Sequence, residues 1–381
     1  MKIVLAPDGF KDALPAAPAS EAMLRGVRRA FPQAEIVCRP IADGGEGFVD
    51  AFATLPHAER HVIRVTGPLG EPVDAAWVAL GRDGDADFTA VIELAQAAGL
   101  ERTPFDRRDP TATTAFGVGE LIGAAMDHRV ARVLLGVGGS ATNDAGCGMA
   151  QALGIRFFDA QGIRFDAPIR GRDLPRITRI DSASADPRLN STEIVVACDV
   201  TNPLFGPSGA AFVYGPQKGA TPTQVETLDK GLKHIASLWQ AEGRWRTDGR
   251  GFGAAGGAAG GAVCLLGAEL RPGADVVLDA VGFDQTVEQA DLVLTGEGRL
   301  DGQSLSGKAV LKAAQRAAKH GVPTVALVGT ADADADRCLA AGLRGYEVLA
   351  PGLSAEESIA RTSELLADAA ERVARKFVAN P

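Results

Sequence analysis

The 381-residue sequence lacks an excess of basic residues. Lysine and arginine together number 39 against 48 aspartates and glutamates, which gives a net charge of −9. A nucleic-acid-binding protein needs a basic face to neutralise phosphates, and a polybasic membrane anchor needs one for the same reason. The charge balance therefore argues against nucleic acid and membrane as partners. Small anions stay compatible with it, because a few local cations suffice to bind them.

Paired cysteines and long apolar runs are also missing. The five cysteines are scattered and form no C-x-x-C pair, which argues against a disulfide framework or a zinc ribbon and fits a reducing cytoplasm. No apolar run reaches the roughly 18 residues of a membrane-spanning helix. The first predicted strand begins at Lys2 with no basic and apolar leader before it. We therefore expect a cytoplasmic protein without a signal peptide or a membrane span.

Glycine is the residue in excess. It occupies 46 of 381 positions, or about 12% of the chain, against roughly 7% in average proteins. The glycines show no collagen period, and they alternate with apolar runs, so a fibrous or disordered chain is excluded. Several glycine clusters follow predicted strands, where open α/β sheets bind ligands. The glycine excess therefore directs attention to loops at strand ends.

Strands and helices alternate at both ends of the chain. Lys2–Ala6 and Glu35–Arg39 have the pattern of strands on either side of a helix over Ala16–Phe31. From Asp291 onward, three further strands alternate with helices, and the last helix is predicted to be long, over Ala355–Phe377. This alternation predicts an α/β fold in which both chain ends form one doubly wound parallel-sheet domain.

The middle of the chain has a different pattern. Close-set strands at Val62–Thr66, Val73–Leu80 and Thr89–Glu93 are separated by glycine turns and predict an antiparallel meander. The stretch Gly249–Gly261 reads either as a flexible linker or as a closely packed, ligand-facing segment, and its lack of serine favours the second. We expect a mixed α/β domain over residues 61–284, inserted between residues 1–60 and 285–381, with the active site in the cleft between the domains.

The loop Gly136–Ala141 matches the dinucleotide pattern G-x-G-x-x-A. Asp159 follows 18 residues after Ala141, at the spacing of the acid that binds a ribose. An NAD(P)-dependent dehydrogenase of a hydroxy acid is therefore one hypothesis. Polar residues over Thr142–Asp144, where a Rossmann helix should already pack, count against it.

Two later segments also have phosphate-binding features. Gly302–Ala309 reads G-x-x-x-x-G-K-A and lacks the hydroxyl with which a Walker A motif holds Mg²⁺, but Lys308 at a helix start still favours an anion. Thr295–Asp301 is predicted to be a charged glycine loop that follows a strand. In it Glu297 and Asp301 are candidate Mg²⁺ ligands and Arg299 is a candidate phosphate contact.

Carboxylates and lysines follow other predicted strands. Asp8 and Lys11 lie after the first strand, and Asp43 lies with Glu46 after the second. The carboxyl ends of strands in a doubly wound sheet share one edge, so these groups are expected to converge. In the inserted region Asp199 is a candidate base. The same reasoning makes Lys218 a candidate anion clamp. Phosphoryl transfer needs such parts: cations, a metal, and a carboxylate to accept the hydroxyl proton.

Six segments in register along the whole chain resemble the type I glycerate kinase family: Ala6–Lys11, Ala42–Gly47, Gly138–Asp144, Ala197–Leu204, Gly215–Ala220 and Leu294–Arg299. The resemblance implies a flavodoxin-like domain from both chain ends, with a second α/β domain inserted. It implies ATP- and Mg²⁺-dependent phosphorylation of D-glycerate, with 2-phosphoglycerate as the product of bacterial members. Gly9 stands where the family pattern has serine, and Arg250–Gly253 departs from the usual Gly-Ala-Gly.

Roles for individual residues are hypotheses within these segments. The candidates, grouped as catalytic, substrate-binding, nucleotide-binding and metal-binding, are Asp199, Asp8 and Lys11; Asn202, Lys218, Gly44 and Gly45; Gly138, Gly139, Ser140, Asn143, Gly296, Glu297, Gly298, Arg299 and Lys308; and Asp43 and Asp301. A non-catalytic sugar-acid-binding protein on the same scaffold is a further alternative. A homodimer is compatible with the sequence.

Overall fold

The computed structural model describes residues 1–42, 45, 47–81, 88–245, 247–302 and 309–379. They form an α/β fold with parallel sheets, which confirms the predicted fold class. The strands in the described residues are β1 Lys2–Pro7, β2 Glu35–Cys38, β3 Ala58–Thr66, β4 Pro72–Leu80, β5 Phe88–Glu93, β6 Val130–Gly136, β7 Arg156–Phe158, β8 Arg179–Asp181, β9 Glu193–Ala197, β10 Glu269–Arg271, β11 Leu292–Leu300, β12 Thr324–Ala331 and β13 Gly345–Val348.

Most helices in the described residues are short. Across that described part of the chain, no helix is long and apolar enough to cross a membrane. The α-helices are α1 Ala16–Ala30, α2 Phe48–Ala53, α3 Leu94–Ala98, α4 Phe116–Asp127, α5 Cys147–Ala152, α6 Ala210–Tyr214, α7 Pro222–Ala241, α8 Ala258–Leu266, α9 Gly273–Ala280, α10 Phe283–Val287, α11 Ala309–Lys319, α12 Arg337–Ala340, α13 Ala355–Ala360 and α14 Thr362–Ala379.

The chain divides into two compact units, and the first contains both chain ends. Unit 1 comprises Met1–Asp43, Asp50–Pro56 and Pro272–Pro381. Its five strands are parallel in the order β13-β12-β11-β1-β2. Counted along the unit, this is the 2-1-3-4-5 order of flavodoxin-like doubly wound sheets. The winding direction reverses between β1 and β11, so their carboxyl ends flank the switch point at which such sheets bind ligands.

Helices α1 and α14 pack closely on one face of this sheet. The apolar residues of α1 recur at helical spacing, and Ala19, Met23 and Val27 are fully buried. Gly26 lets α14 approach, since a Cβ there would lie 1.9 Å from the Ala367 carbonyl oxygen. A glycine at this position therefore brings the backbones of the two helices close together.

Two predictions about unit 1 are wrong. The long helix expected over 355–377 is interrupted between α13 and α14. There the Thr362 hydroxyl donates to the Ser358 carbonyl at 2.8 Å, and such local bonds compete with a regular helix. The loop expected over Thr295–Asp301 is strand as far as Leu300, because β12 is long enough to pair with it as far as Ala331.

Unit 2 comprises Gly44–Val49 and His57–Arg271. Its main sheet has the order β10-β9-β6-β5-β4-β3. Strands β3, β4 and β5 are antiparallel neighbours, which confirms the predicted meander, whereas β5, β6, β9 and β10 are parallel. Strands β7 and β8 form a separate two-stranded sheet. The parallel half brings the carboxyl ends of β6 and β9 side by side, with Gly136 opposite Ala197.

The stretch Gly249–Gly261 is closely packed, so its interpretation as a flexible linker is wrong. It contains a buried 3-10 turn, Ala254–Gly257, and the start of α8. Gly256 has a φ of +65°, and a Cβ there would lie 1.9 Å from the Thr142 carbonyl oxygen. The Ala145 N–H donates to the Gly256 carbonyl at 3.1 Å. Glycine is required here because two loops of unit 2 touch through their backbones.

Candidate active site

Unit 2 has a small pocket at the carboxyl ends of β6 and β9. Its volume is about 190 Å³. It brings together five of the residues that the sequence singled out, although they are far apart in the chain: Gly138, Gly139, Ser140, Asp199 and Lys218. The rest of the lining comprises Leu100, Val137, Ala197, Cys198, Val200, Tyr214, Gln217, Ala254 and Ala255. The carboxyl edge of a parallel sheet is where open α/β folds bind ligands.

Lys218 is the buried cation of this pocket. It ends a 3-10 turn, Pro216–Lys218, and is 3% exposed. Its Nζ donates to Ser140 Oγ and to the Thr142 carbonyl, both at 2.7 Å. Burial lowers the pKa of Lys218 to about 7, against an opposing contribution from the Asp144 charge. A buried charge is costly unless it is paired, so this ammonium favours an anion as ligand.

Asp144 lies in the loop that follows β6 and carries Ser140, which we call the pocket loop. The sequence analysis did not assign Asp144 a role. It is fully buried, and its carboxylate accepts from the N–H groups of Ala115 at 2.8 Å, Gly146 at 3.1 Å and Gly148 at 3.3 Å. Burial raises its pKa to about 6, although the backbone donors oppose the shift. Because Ala115 and Gly146 directly precede α4 and α5, Asp144 fixes both helix starts to the pocket loop.

The loop that carries Ser140 is held on its other side by the segment after α3. The Leu100 N–H donates to the Gly139 carbonyl at 2.8 Å, and the Ala141 N–H donates to the Ala98 carbonyl at 2.9 Å. The Thr113 hydroxyl adds a bond to the Ala141 carbonyl at 2.9 Å. Ser140 is therefore positioned by its neighbours, and only 8% of it is exposed.

Asn202 and Asn143 are placed near the pocket but outside its lining. The Asn202 amide donates to the Ser208 carbonyl at 2.8 Å and accepts from the Tyr214 hydroxyl at 2.7 Å. Tyr214, which the sequence analysis did not single out, is the pocket residue of this pair. Asn143 is fully buried, and neither atom of its amide has a hydrogen-bond partner among the described residues.

In unit 1 the predicted residues gather at the switch point between β1 and β11. The Asp8 N–H donates to the Gly296 carbonyl at 2.8 Å, and its carboxylate accepts from the Gly9 N–H at 2.7 Å. Gly298 lies so close to the segment after β1 that a Cβ there would be 3.3 Å from the backbone nitrogen of Lys11. At Gly9, by contrast, a Cβ would have no neighbour nearer than 3.9 Å. A serine would therefore fit at this position, and packing does not require a glycine there.

Charged side chains continue along this edge of unit 1. The Arg299 side chain is 65% exposed and lies between two carboxylates, with Nε 3.4 Å from Asp301 and Nη2 3.7 Å from Asp332. Glu297 is buried at 5% exposure. Gly296 has a packing reason, since a Cβ there would lie 2.4 Å from the Leu327 carbonyl oxygen. Asp332 belongs to this cluster only through the β11–β12 pairing, which the sequence does not reveal.

Some predicted residues lie outside the described part of the chain. They are Asp43, Gly44, Glu46 and Lys308. Gly45 is described, and its carbonyl accepts from the Phe48 N–H at 3.3 Å. No group of three or more histidine, cysteine, aspartate or glutamate side chains suited to a metal occurs among the described residues. Magnesium in nucleotide sites commonly uses one or two carboxylates with waters and phosphates, and at this edge of unit 1 the carboxylates of Asp301 and Asp332 both lie beside Arg299.

The dinucleotide pattern at Gly136–Ala141 does not have a Rossmann setting. Strand β7, which ends just before Asp159, pairs with β8 in the separate sheet and not with β6. The Asp159 carboxylate closes its own turn, accepting from the N–H groups of Gln161 at 3.0 Å and Ile163 at 2.9 Å. In a Rossmann domain the ribose-binding acid ends a strand next to the glycine loop, so the resemblance to that motif is a chance match.

Known proteins similar to this chain point to one family. The model of the glycerate kinase family matches residues 3–378. A Bacillus subtilis (strain 168) protein named glycerate kinase is 42% identical over 382 residues, covering 100% of this chain and 97% of that protein. An Escherichia coli (strain K12) protein named glycerate 2-kinase is 44% identical over 332 residues, covering 87% and 85%.

A solved structure agrees with the sequence matches. The crystal structure of a protein assigned as glycerate kinase 2 from Salmonella typhimurium LT2 superposes with a TM-score of 0.87 at 40% identity, covering 100% of this chain and 98% of that one. The family match spans nearly the whole chain, and the pocket residues Ser140, Asp199 and Lys218 lie in segments that carry the resemblance. The chain therefore belongs to the glycerate kinase family, and the protein is a kinase.

Proposed function

We propose that this protein transfers the γ-phosphoryl group of ATP to a hydroxyl of D-glycerate and releases ADP, with 2-phosphoglycerate as the favoured product. The names of the relatives support the substrate, and one of them is a glycerate 2-kinase. The observation that carries the proposal is the pocket of unit 2, where the buried Lys218 cation and the Asp199 carboxylate line one small cavity. A hydroxy acid needs both groups: a counter-charge for its carboxylate and an acceptor for its hydroxyl proton.

Lys218 serves in this proposal as the counter-charge of the glycerate carboxylate. It is buried and has two neutral oxygens as acceptors. Asn202 acts through Tyr214, whose hydroxyl it holds at the pocket wall. Asp199 lies at the end of β9 on the exposed side of the pocket and is the proposed general base, with Asp8 of unit 1 as the rival. A carboxylate base assists phosphoryl transfer by accepting the proton of the attacking hydroxyl.

The phosphates of ATP are assigned to glycine segments and cations. Lys11 and Arg299 in unit 1, and Lys308 outside the described residues, supply positive charge; Gly296 and Gly298 allow the backbone to approach. Bound Mg²⁺ would offset the negative charge that develops on the phosphoryl oxygens. Asp301, with Asp43 outside the described residues, would hold it. The five free cysteines further support a cytoplasmic location.

A coupled ADP-release assay over a panel of hydroxy acids tests this function. We expect ADP release with D-glycerate that depends on Mg²⁺, and phosphorus NMR of the product then shows which hydroxyl carries the phosphoryl group. Glycerate binding without ADP release would instead support a sugar-acid-binding protein. NADH binding without ATP dependence would support the dehydrogenase hypothesis. Light scattering on the same sample reads out whether the protein is a homodimer.

A further inference from the structure

The cavity of unit 2 has the size of a three-carbon acid rather than that of a whole nucleotide. Its volume is about 190 Å³, whereas drug-sized ligands occupy pockets of roughly 300 Å³ or more, and a cavity of about 150 Å³ holds a molecule the size of benzene. A three-carbon hydroxy acid is of that smaller class, and a nucleoside triphosphate is several times larger. The sequence had assigned Gly138, Gly139 and Ser140 to the nucleotide, so the dimensions argue for a different ligand at these residues.

The Ser140 hydroxyl lines this space and has a proton to donate to a ligand. Its Oγ accepts from Lys218 Nζ at 2.7 Å, so a lone pair of the hydroxyl is already used. A serine hydroxyl carries one proton as donor. Among the described residues there is no acceptor for that proton, and Ser140 lines the pocket. A ligand oxygen in the pocket would therefore complete the hydrogen bonding of Ser140.

Lys218 also has an N–H donor that a ligand oxygen could accept from. An ammonium group has three N–H donors, and two are bonded to Ser140 Oγ and the Thr142 carbonyl. Within the ranges that the structure describes, Lys218 forms no ion pair. The backbone on both sides of Ser140 is pinned to the segment of Ala98 and Leu100, so the two donors are held in place before a ligand arrives.

We propose that Ser140 and Lys218 together form the carboxylate subsite of the acid substrate, and that the Ser140 hydroxyl donates to a carboxylate oxygen. This rests on the proposed kinase function and moves Ser140 from the nucleotide to the acid. The subsite selects small hydroxy acids over neutral alcohols of the same size. A neutral ligand would leave the buried Lys218 charge with no ion-pair partner in direct contact among the described residues and only the charge of Asp144 to offset it, which is the more costly arrangement.

The experiment compares the wild type with Ser140→Ala in steady-state kinetics and in calorimetric binding of D-glycerate without ATP. We expect the KM and the dissociation constant for D-glycerate to rise about ten- to a hundredfold, as for loss of a hydrogen bond between a neutral donor and a charged acceptor. The KM for ATP should stay within about twofold. Lactate should compete with glycerate in the wild type, glycerol should not, and lactate should weaken in parallel in the variant.

The opposite pattern overturns the inference. If Ser140→Ala raises the KM for ATP and leaves glycerate binding unchanged, the anion at this subsite is a phosphate of the nucleotide. If neither constant changes, Ser140 contacts no ligand. Ser140→Cys, of nearly the same size but a poor donor, gives the same readout if the alanine variant fails to fold. A wild type that binds glycerate without releasing ADP refutes the kinase function and leaves the subsite standing.

Discussion

The two regions that we assign to anionic groups place their cations in opposite environments. In the unit 2 pocket Lys218 is 3% exposed and bonded to neutral oxygens. At the unit 1 sheet edge the Arg299 side chain is 65% exposed and lies between the carboxylates of Asp301 and Asp332. Charge interactions are strong where water is excluded and weak where it is present. Although both regions lie in glycine-rich segments, we therefore expect a preorganised anion site in unit 2 and a solvent-screened one in unit 1.

The largest effect is expected at Asp199. If it is the general base, Asp199→Asn lowers kcat about 10²- to 10⁴-fold, because the amide no longer accepts the proton of the attacking hydroxyl. The KM for ATP should change little. A steady-state assay of ADP release with saturating D-glycerate measures the loss of kcat. Thermal melting verifies that the variant is folded.

Asp159→Asn is the matched control for that variant. Asp159 is bonded within its own turn, away from the pocket lining. Its replacement should leave kcat near the wild-type value. A full kcat in Asp199→Asn would transfer the base role to the rival, Asp8, and a large loss in Asp159→Asn would revive the dinucleotide hypothesis.

The next largest effect tests how the pocket loop is supported. Gly256 and Gly243 have nearly the same φ, +65° and +67°, but a Cβ at Gly256 would lie 1.9 Å from the Thr142 oxygen, whereas at Gly243 nothing lies within 4 Å. Gly243→Ala should cost about 1 kcal/mol of unfolding free energy for the backbone conformation alone. Gly256→Ala should cost about 3 kcal/mol or more, since overpacking adds to it.

Urea denaturation of the two variants measures the difference. Because the Thr142 carbonyl also accepts from Lys218, Gly256→Ala should raise the KM for D-glycerate as well. Equal stability losses in the two variants would mean that the contact between the Gly256 and Thr142 backbones is not needed for the fold.

Local sequence patterns predicted the strands and the segments of both regions, but not the environment of their side chains. The alternation of strands and helices located β1, β6 and β9 within a few residues, because such patterns report short-range periodicity. The extension of β11 to Leu300 depends on pairing with β12, which lies more than twenty residues later. A segment that contains glycines and charged residues is predicted to be a loop when the strand that pairs with it is not known.

The site shows the same limit at the level of single residues. Lys218 was a candidate from its segment, yet its burial follows from contacts with Ser140 and Thr142, which are distant in sequence. Asp144 was not among the candidates, because the contact that joins it to the start of α4 is with Ala115, 29 residues earlier in the chain. Asn202 was expected to face the substrate, and its amide is bonded to Ser208 and Tyr214.

The burial of Lys218 gives a smaller, pH-dependent effect. Its lowered pKa of about 7 means that the cation is present below that pH and is lost above it. The KM for D-glycerate should therefore rise above pH 7, by at most about tenfold per pH unit. Burial raises the pKa of Cys198 to about 11 and also raises that of Tyr214, so these pocket groups stay neutral over this range. Asp144 and Asp199 are the carboxylates nearby.

Kinetics between pH 6.5 and about 8.5 in constant ionic strength measure this dependence. Lys218→Met should have a high KM for glycerate that no longer depends on pH in this window, whereas the KM for ATP should share neither change. A glycerate KM that is flat in the wild type would show that Lys218 keeps its proton throughout, as expected if the bound acid raises its pKa far above the range.

The smallest effect is expected at the exposed edge of unit 1. Arg299→Met removes a cation that water and two carboxylates already screen, so the KM for ATP should rise only about two- to fivefold at low salt. That difference should fade at about 0.5 M salt, where the screening length is only a few ångströms. The loss in Lys218→Met should persist at the same salt concentration, because its surroundings exclude the ions. Kinetics of both variants at two salt concentrations thus measure the contrast between the regions directly. If the Arg299 effect proves as large and as salt-resistant as that of Lys218, bound ATP must bury this edge of unit 1, and the two environments differ only in the free protein.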